Sequence, residues 1–107
     1  NMPLRRVEIP FYISYTADAD KVCAEILSGL IKSKIIVKSP APLVIFDSFR
    51  EMTVCCTAYA WAAVEDYAPA KRAVRETIYA AIRKHGAEPS ARKVLVDTAA
   101  HEEGKDE

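Results

Sequence analysis

Hydrophobic and polar residues alternate along the first part of the chain with the period of a β-strand. One face carries Val7, Ile9, Phe11, Ile13 and Tyr15, and the other carries Glu8, Pro10, Tyr12 and Ser14. Because successive side chains of a strand point to opposite faces, this pattern predicts a half-buried strand over residues 7–15. Pro10 has no N–H to donate, so we expect this strand to lie at an edge of its sheet or to be locally irregular.

The next segment has the period of a helix. Residues 16–20 form a polar cluster, with Thr16, Asp18 and Asp20, that suits a helix N-cap. Apolar residues then recur at spacings of three and four: Val22, Cys23, Ile26, Leu27, Leu30 and Ile31. This spacing predicts an amphipathic helix of about four turns. Gly29 within it costs about 1 kcal/mol relative to alanine, so we expect this glycine to allow close packing.

Two strands are predicted after this helix. Pro40 and Pro42 introduce the first, over residues 43–47, and a turn is expected at 48–51 before the second, over 52–63. We expect one face of the longer strand to lie under a helix because its residues are small: Val54, Cys56, Ala58, Ala60 and Ala62. The opposite face is predicted to be the open side of the sheet and carries Cys55, Thr57, Tyr59 and Trp61.

A second helix is predicted to begin at residues 65–67, with Asp66 as its N-cap, and to stop at Gly86. A short last strand is expected at residues 93–96 and a charged, disordered tail at 98–107. The order strand, helix, strand, strand, helix, strand predicts an α+β fold, the ferredoxin-like βαββαβ sandwich with an antiparallel sheet and both helices on one face. Residues 1–6 are interpreted as a lead-in from a preceding domain and 7–97 as the αβ domain.

The composition is typical of one water-soluble globular domain. The chain has 107 residues, of which 50% are hydrophobic and 28% charged. Its 15 basic and 15 acidic residues cancel, which argues against a nucleic-acid partner. Apolar runs fall well short of the roughly 20 residues that span a bilayer, and the N-terminus lacks the pattern of a signal peptide.

The sequence offers little chemistry. Cys23, Cys55 and Cys56 are interpreted as buried structural thiols, because adjacent strand residues point apart and cannot chelate one ion together. Asp18 and Asp20 could bind a metal as a pair, but capping is the usual role of acids at a helix start.

Nucleophile–base pairs and nucleotide-binding loops are also missing. His85 could act as a pH switch, but a residue stabilising a helix end is the favoured interpretation. An RNA-binding role would need basic residues beside Tyr59 and Trp61, and the sequence has none there. We therefore expect no enzymatic activity, no cofactor and no metal.

The order of these elements resembles the C-terminal αβ domain of the small-conductance mechanosensitive channels (MscS type). The resemblance covers about residues 5–90. It rests on the paired arginines Arg5 and Arg6, a first strand ending in Tyr15, and the Lys21–Val22 pair in the first helix. It also rests on the Pro-x-Pro segment of Pro40 and Pro42, a long strand ending near Trp61, the Asp66–Tyr67 pair and the closing Gly86. The segment Ala87–Ser90 departs from the family, which usually has an apolar-Pro-x-Pro sequence after the glycine.

The resemblance implies a soluble vestibule domain on the cytoplasmic side of a membrane channel. Transmembrane helices and a small β domain would precede it in the same chain, and the membrane would be reached only through them. Seven subunits would enclose a vestibule that filters solutes, and Arg5 and Arg6 would lie at the junction with the preceding domain. Val94, Leu95 and Val96 would form an intersubunit barrel; a fourth strand within the domain's own sheet is the open alternative.

A second class of function remains open beside the channel domain. The same fold is used by free-standing modules that sense small molecules or bind proteins, and fold alone does not decide between them. The two classes differ in whether the parent gene encodes apolar spans of about 20 residues.

Overall fold

The computed structural model describes residues 3–89 of the chain. Their elements are β1 (Leu4–Ser14), α1 (Ala19–Lys32), β2 (Leu43–Arg50), β3 (Thr53–Ala63), a 3-10 turn (Val64–Asp66) and α2 (Tyr67–Lys84). The predicted α+β class, with an antiparallel sheet and two helices, is confirmed. The strand predicted at 93–96 and the tail predicted at 98–107 lie outside the described residues.

The strands form one sheet in the order β1-β3-β2, with β3 antiparallel to both neighbours. Cys56 is the centre of one row across the sheet, paired with Phe11 of β1 on one side and with Phe46 of β2 on the other. β1 is an edge strand among the described residues, as Pro10 predicts.

Both helices pack on one face of this sheet and form the core with it. The small-residue face of β3 lies beneath them as predicted, and Ala58, Ala60 and Ala62 are completely buried. α1 contributes Val22, Ile26 and Leu30, and α2 contributes Ala70, Val74, Ile78 and Ala81. The apolar stripes of the two helices therefore cover one side of the sheet.

Gly29 is a point of close approach between α1 and α2. A Cβ atom at this position would lie 2.7 Å from Thr77 Cγ2. The Thr77 hydroxyl donates a hydrogen bond of 2.8 Å to the Ala73 carbonyl, which fixes the position of that methyl group. The glycine thus allows the two helices to pack closely, as predicted from its place in the apolar stripe.

Two predicted ends of elements differ from the structure by more than one residue. β1 begins at Leu4 rather than at residue 7, so Arg5 and Arg6 lie within the strand. The turn predicted at 48–51 is wrong, because β2 continues to Arg50 and pairs there with Thr53. A bulge between Phe46 and Ser48 absorbs one residue, which hides the strand's alternation from sequence inspection.

The helix caps differ in a similar way. Asp18 is a true N-cap whose carboxylate accepts the Lys21 N–H at 3.2 Å. Asp66 occupies the predicted N-cap position before α2, but its side chain makes no capping hydrogen bond. Asp66 is also the last residue of the 3-10 turn that precedes the helix. Within residues 3–89, neither helix is long and apolar enough to cross a bilayer.

Candidate interaction surfaces

The two arginines at the start of β1 are held by aromatic rings. The Arg5 guanidinium lies 3.8 Å from the centre of the Tyr67 ring, and that of Arg6 lies 5.1 Å from the Tyr59 ring. Arg6 also pairs with Glu8 at 3.1 Å. These contacts fix both side chains at one end of the sheet. Their role at a domain junction stays a prediction, as does the interface role of Val94, Leu95 and Val96, which lie outside the described residues.

The cysteines occupy positions that suppress their reactivity. Cys56 faces the core and is 1% exposed, Cys23 on α1 is half-buried, and Cys55 is buried on the opposite face of β3. Burial raises the pKa of Cys56 to about 12 and raises the pKa of Cys23 as well. Because the thiolate is the nucleophile and the metal ligand, these groups are poor candidates for chemistry. Within residues 3–89, no three His, Cys, Asp or Glu side chains cluster as metal ligands would.

A surface contact joins the two helices near their ends. Glu25 of α1 accepts hydrogen bonds from Lys84 at 3.2 Å and from His85 Nε2 at 3.4 Å. These hydrogen bonds lower the pKa of the Glu25 carboxyl, and the bond from Lys84 has the larger effect. His85 is the C-cap residue of α2, which agrees with its predicted place at a helix end.

β2 is the least covered strand of the sheet. Every residue of β2 except Val44 is exposed, although five of its eight residues are apolar. Phe49 is 70% exposed, Tyr15 is 60% exposed, and Phe46 is 51% exposed. The rings of Tyr15 and Phe49 meet edge to face with their centres 6.2 Å apart.

These aromatic residues line a shallow groove of about 310 Å³ beside the start of α1. We call it the aromatic groove and define it by Tyr15, Asp18, Asp20, Phe46 and Phe49. Sequence reasoning missed this groove, because it ended the strand at residue 47 and so left Phe49 in a turn. The available signal was the recurrence of apolar residues through Phe46 and Phe49, which a bulge reconciles with a single strand.

Comparison with known proteins decides the family. The family model described as "Mechanosensitive ion channel MscS, C-terminal" matches residues 7–88, which include nearly all of the described fold. The chain belongs to this family.

A solved structure agrees with the family match at the level of fold. The MscS chain of Helicobacter pylori in its closed state superposes with a TM-score of 0.72 at 22% sequence identity, over 81% of this chain. This chain spans only 35% of the length of that channel chain. No curated protein matches at a significant level.

Membership places the chain in a family of mechanosensitive ion channels. The described residues are the MscS C-terminal domain of such a channel.

Proposed function

We propose that this chain is the soluble C-terminal vestibule domain of a mechanosensitive channel, on the cytoplasmic side of the cell membrane. In this role it contributes to oligomeric assembly and to the filtering of solutes during release after osmotic shock. The supporting observation is the family match over residues 7–88, which spans both helices and all three strands described.

The packed core and the exposed surfaces of the domain support a structural role in the wall of the vestibule. A rigid wall needs a packed core, which the helices and β3 supply, and surfaces left free to contact other parts of the assembly. β2 and the aromatic groove are such surfaces. The raised pKa values of Cys23 and Cys56 keep both thiols protonated, so neither is an activated nucleophile.

The finer features are proposed on the same basis. The full channel is a heptamer, in which Val94, Leu95 and Val96 of each subunit line an axial barrel. Arg5 and Arg6, already ordered by Tyr67 and Tyr59, meet the preceding domain of the same chain. The domain carries out no catalysis and binds no cofactor.

The test uses the full-length parent protein in a bacterial strain that lacks its own mechanosensitive channels. We expect the parent to restore survival of an osmotic downshock and to give tension-gated currents in membrane patches. Val22→Asp places a charge in the core and should abolish both, because an unpaired buried charge unfolds a small domain. Lys34→Ala, on an exposed residue, is the matched control and should change neither.

Two results would count against the proposal. One is a parent gene without apolar spans of about 20 residues, since a channel needs them. The other is a stably expressed, membrane-inserted parent protein that gives no tension-gated current.

A further inference from the structure

The aromatic groove is an apolar surface without a cover among residues 3–89. Tyr15, Phe46 and Phe49 are each more than half exposed, and the two phenylalanines belong to β2, which is an edge strand of the sheet that residues 3–89 form. Burial of such aromatic area is strongly favourable, and an exposed apolar edge strand is a pairing and packing site.

The position of the groove argues against cover by residues that precede the domain. Tyr15 directly follows β1, whereas residue 3 lies at the other end of this strand. An extended strand of 11 residues spans about 35 Å, so chain entering at Leu4 arrives far from the groove. The end of α2 does return near the groove, because the Ala87 carbonyl accepts the Ser14 N–H at 2.8 Å. That contact lies next to Tyr15, so the chain's own C-terminal segment is the competing occupant that the cross-linking experiment below distinguishes.

The groove has an acidic rim. Asp18 and Asp20 line it and are exposed, and exposed Glu51 lies in the adjoining turn between β2 and β3. Exposed Arg50 and Lys21 are the basic residues next to these acids in the sequence. A partner for this surface therefore needs aliphatic or aromatic area together with positive charge.

The opposite flank of the same domain has that character. Along α2, the exposed residues Arg72, Arg75, Tyr79 and Arg83 recur at spacings of three and four and so share one side of the helix. We call them the α2 arginine stripe. Arg83 lies over the Tyr79 ring at 5.6 Å, and Tyr79 is 63% exposed. Arg83 also pairs with Glu88 at 3.8 Å, and exposed Glu76 lies on the same side of α2, so these two carboxylates offset part of the positive charge of the stripe.

The stripe faces away from the groove within one subunit. Thr77, which meets Gly29 of α1, lies on the other side of α2 from Arg75 at 100° per residue. α1 packs beside β2, and α2 packs mainly over β1. The acidic groove and the basic stripe therefore lie on opposite flanks of the domain, where a single copy cannot bring them together.

We propose that the aromatic groove of one subunit packs against the α2 arginine stripe of the next copy of this chain. A contact between two different surfaces of identical subunits is heterologous, and its repetition closes a ring when the rotation between neighbouring copies closes, as an oligomeric channel requires. Arginine suits the groove because its guanidinium stacks on aromatic rings and pairs with carboxylates. This inference rests on the proposed function, since it requires an oligomeric channel.

Cross-linking in the full-length protein tests the contact directly. Subunits carrying only Phe49→Cys are mixed with subunits carrying only Arg75→Cys and treated with a short bifunctional thiol reagent. We expect cross-linked dimers from this mixture, and the unaltered protein treated in the same way gives the background from native cysteines, of which Cys55 and Cys56 are buried and Cys23 is half-buried. Tyr12→Cys is the matched control for Phe49→Cys, because Tyr12 is 48% exposed but lies on the other face of the sheet.

Substitutions test the energetics of the same contact. Phe49→Asp should weaken assembly roughly thirtyfold, as loss of an aromatic anchor does, whereas Tyr12→Asp should not. Asp20→Lys and Arg75→Glu should each weaken assembly about two- to fivefold, and the double swap should recover most of the loss. Circular dichroism checks that each variant stays folded.

Each contrary outcome has a separate meaning. Intact oligomers and currents without cross-links between positions 49 and 75 would overturn this inference and leave the proposed function standing. A cross-link between Phe49→Cys and Leu95→Cys within one subunit would overturn it by assigning the groove to the chain's own C-terminal segment. An unaltered full-length protein that forms no oligomer would overturn the proposed function, and the inference with it.

Discussion

β1 and β2 occupy equivalent places on either side of β3, yet they differ sharply in cover. Phe11 and Phe46 pair with the same residue, Cys56, but Phe11 is 6% exposed and Phe46 is 51% exposed. The difference comes from the helix layer. α2 packs over β1, whereas α1 leaves the outer part of β2 open.

This contrast shows that an apolar pattern fixes which face of a strand is hydrophobic, but not what covers it. In β1 the cover is supplied by the same domain. In β2 it is absent among the described residues, and in the proposed contact between copies a neighbouring subunit supplies it. The β1 half is therefore expected to control stability, and the β2 edge to control assembly.

The largest expected effect separates the two halves through a matched pair of substitutions. Phe11→Ala should lower the free energy of unfolding by about 3–5 kcal/mol, because it leaves a cavity in the covered core. Phe46→Ala should lower it by less than about 1 kcal/mol, since half of that side chain is already in water. Urea denaturation followed by circular dichroism measures both. Equal losses would mean that β2 is as well packed as β1 and would remove the contrast.

Much of the fold could be predicted because the β1 and α1 segments have clear periods. Asp18 capped its helix, Gly29 marked the helix contact, and the alanines of β3 marked the covered face. The end of β2 could not be predicted in the same way. A bulge at Asp47 shifts the alternation, and the Thr57 hydroxyl donates to the Asp47 carboxylate there, a pairing that spacing along the chain does not reveal.

The interaction surfaces were less accessible to sequence reasoning. Arg5 and Arg6 were singled out, but their stacking on Tyr67 and Tyr59 depends on the sheet register and on where α2 begins. The aromatic groove brings Tyr15 beside Phe49 across a distance of 34 positions, which follows from the sheet topology and not from local pattern. Apolar residues buried by a neighbouring copy have the same sequence periodicity as apolar residues buried within one domain, so the sequence pattern does not separate the two.

An intermediate effect is expected within the covered half, at the contact of α1 with α2. Gly29→Ala gains about 1 kcal/mol of helix propensity, but its methyl group overlaps Thr77 Cγ2, and overpacking costs about 1–3 kcal/mol. We expect a net loss of about 1 kcal/mol. Adding Thr77→Ser removes the opposing methyl group, keeps the hydroxyl bonded to Ala73, and should restore the stability. Thermal unfolding of both single variants and of the double variant completes a double-mutant cycle. A Gly29→Ala variant more stable than the native protein would show that the two helices move apart at little cost.

The smallest effect is expected at the water-exposed end of the same helix contact, where Glu25 meets Lys84 and His85. The pKa of Glu25 is lowered in the folded protein from its ordinary value of 4.5, so below that value the unfolded chain binds the proton first. The contribution of this carboxylate to stability is therefore complete above pH 4.5 and is lost as the pH falls through the lowered pKa. Glu25→Gln should flatten the fall in unfolding free energy between neutral pH and the acid range, and Glu76→Gln, at an exposed α2 carboxyl, is the control. If the unfolding free energy fell equally with acidification in the native protein and in Glu25→Gln, the contact with Lys84 and His85 would be too solvated to stabilise the packing of α1 on α2. The covered half would then be held by its apolar core alone.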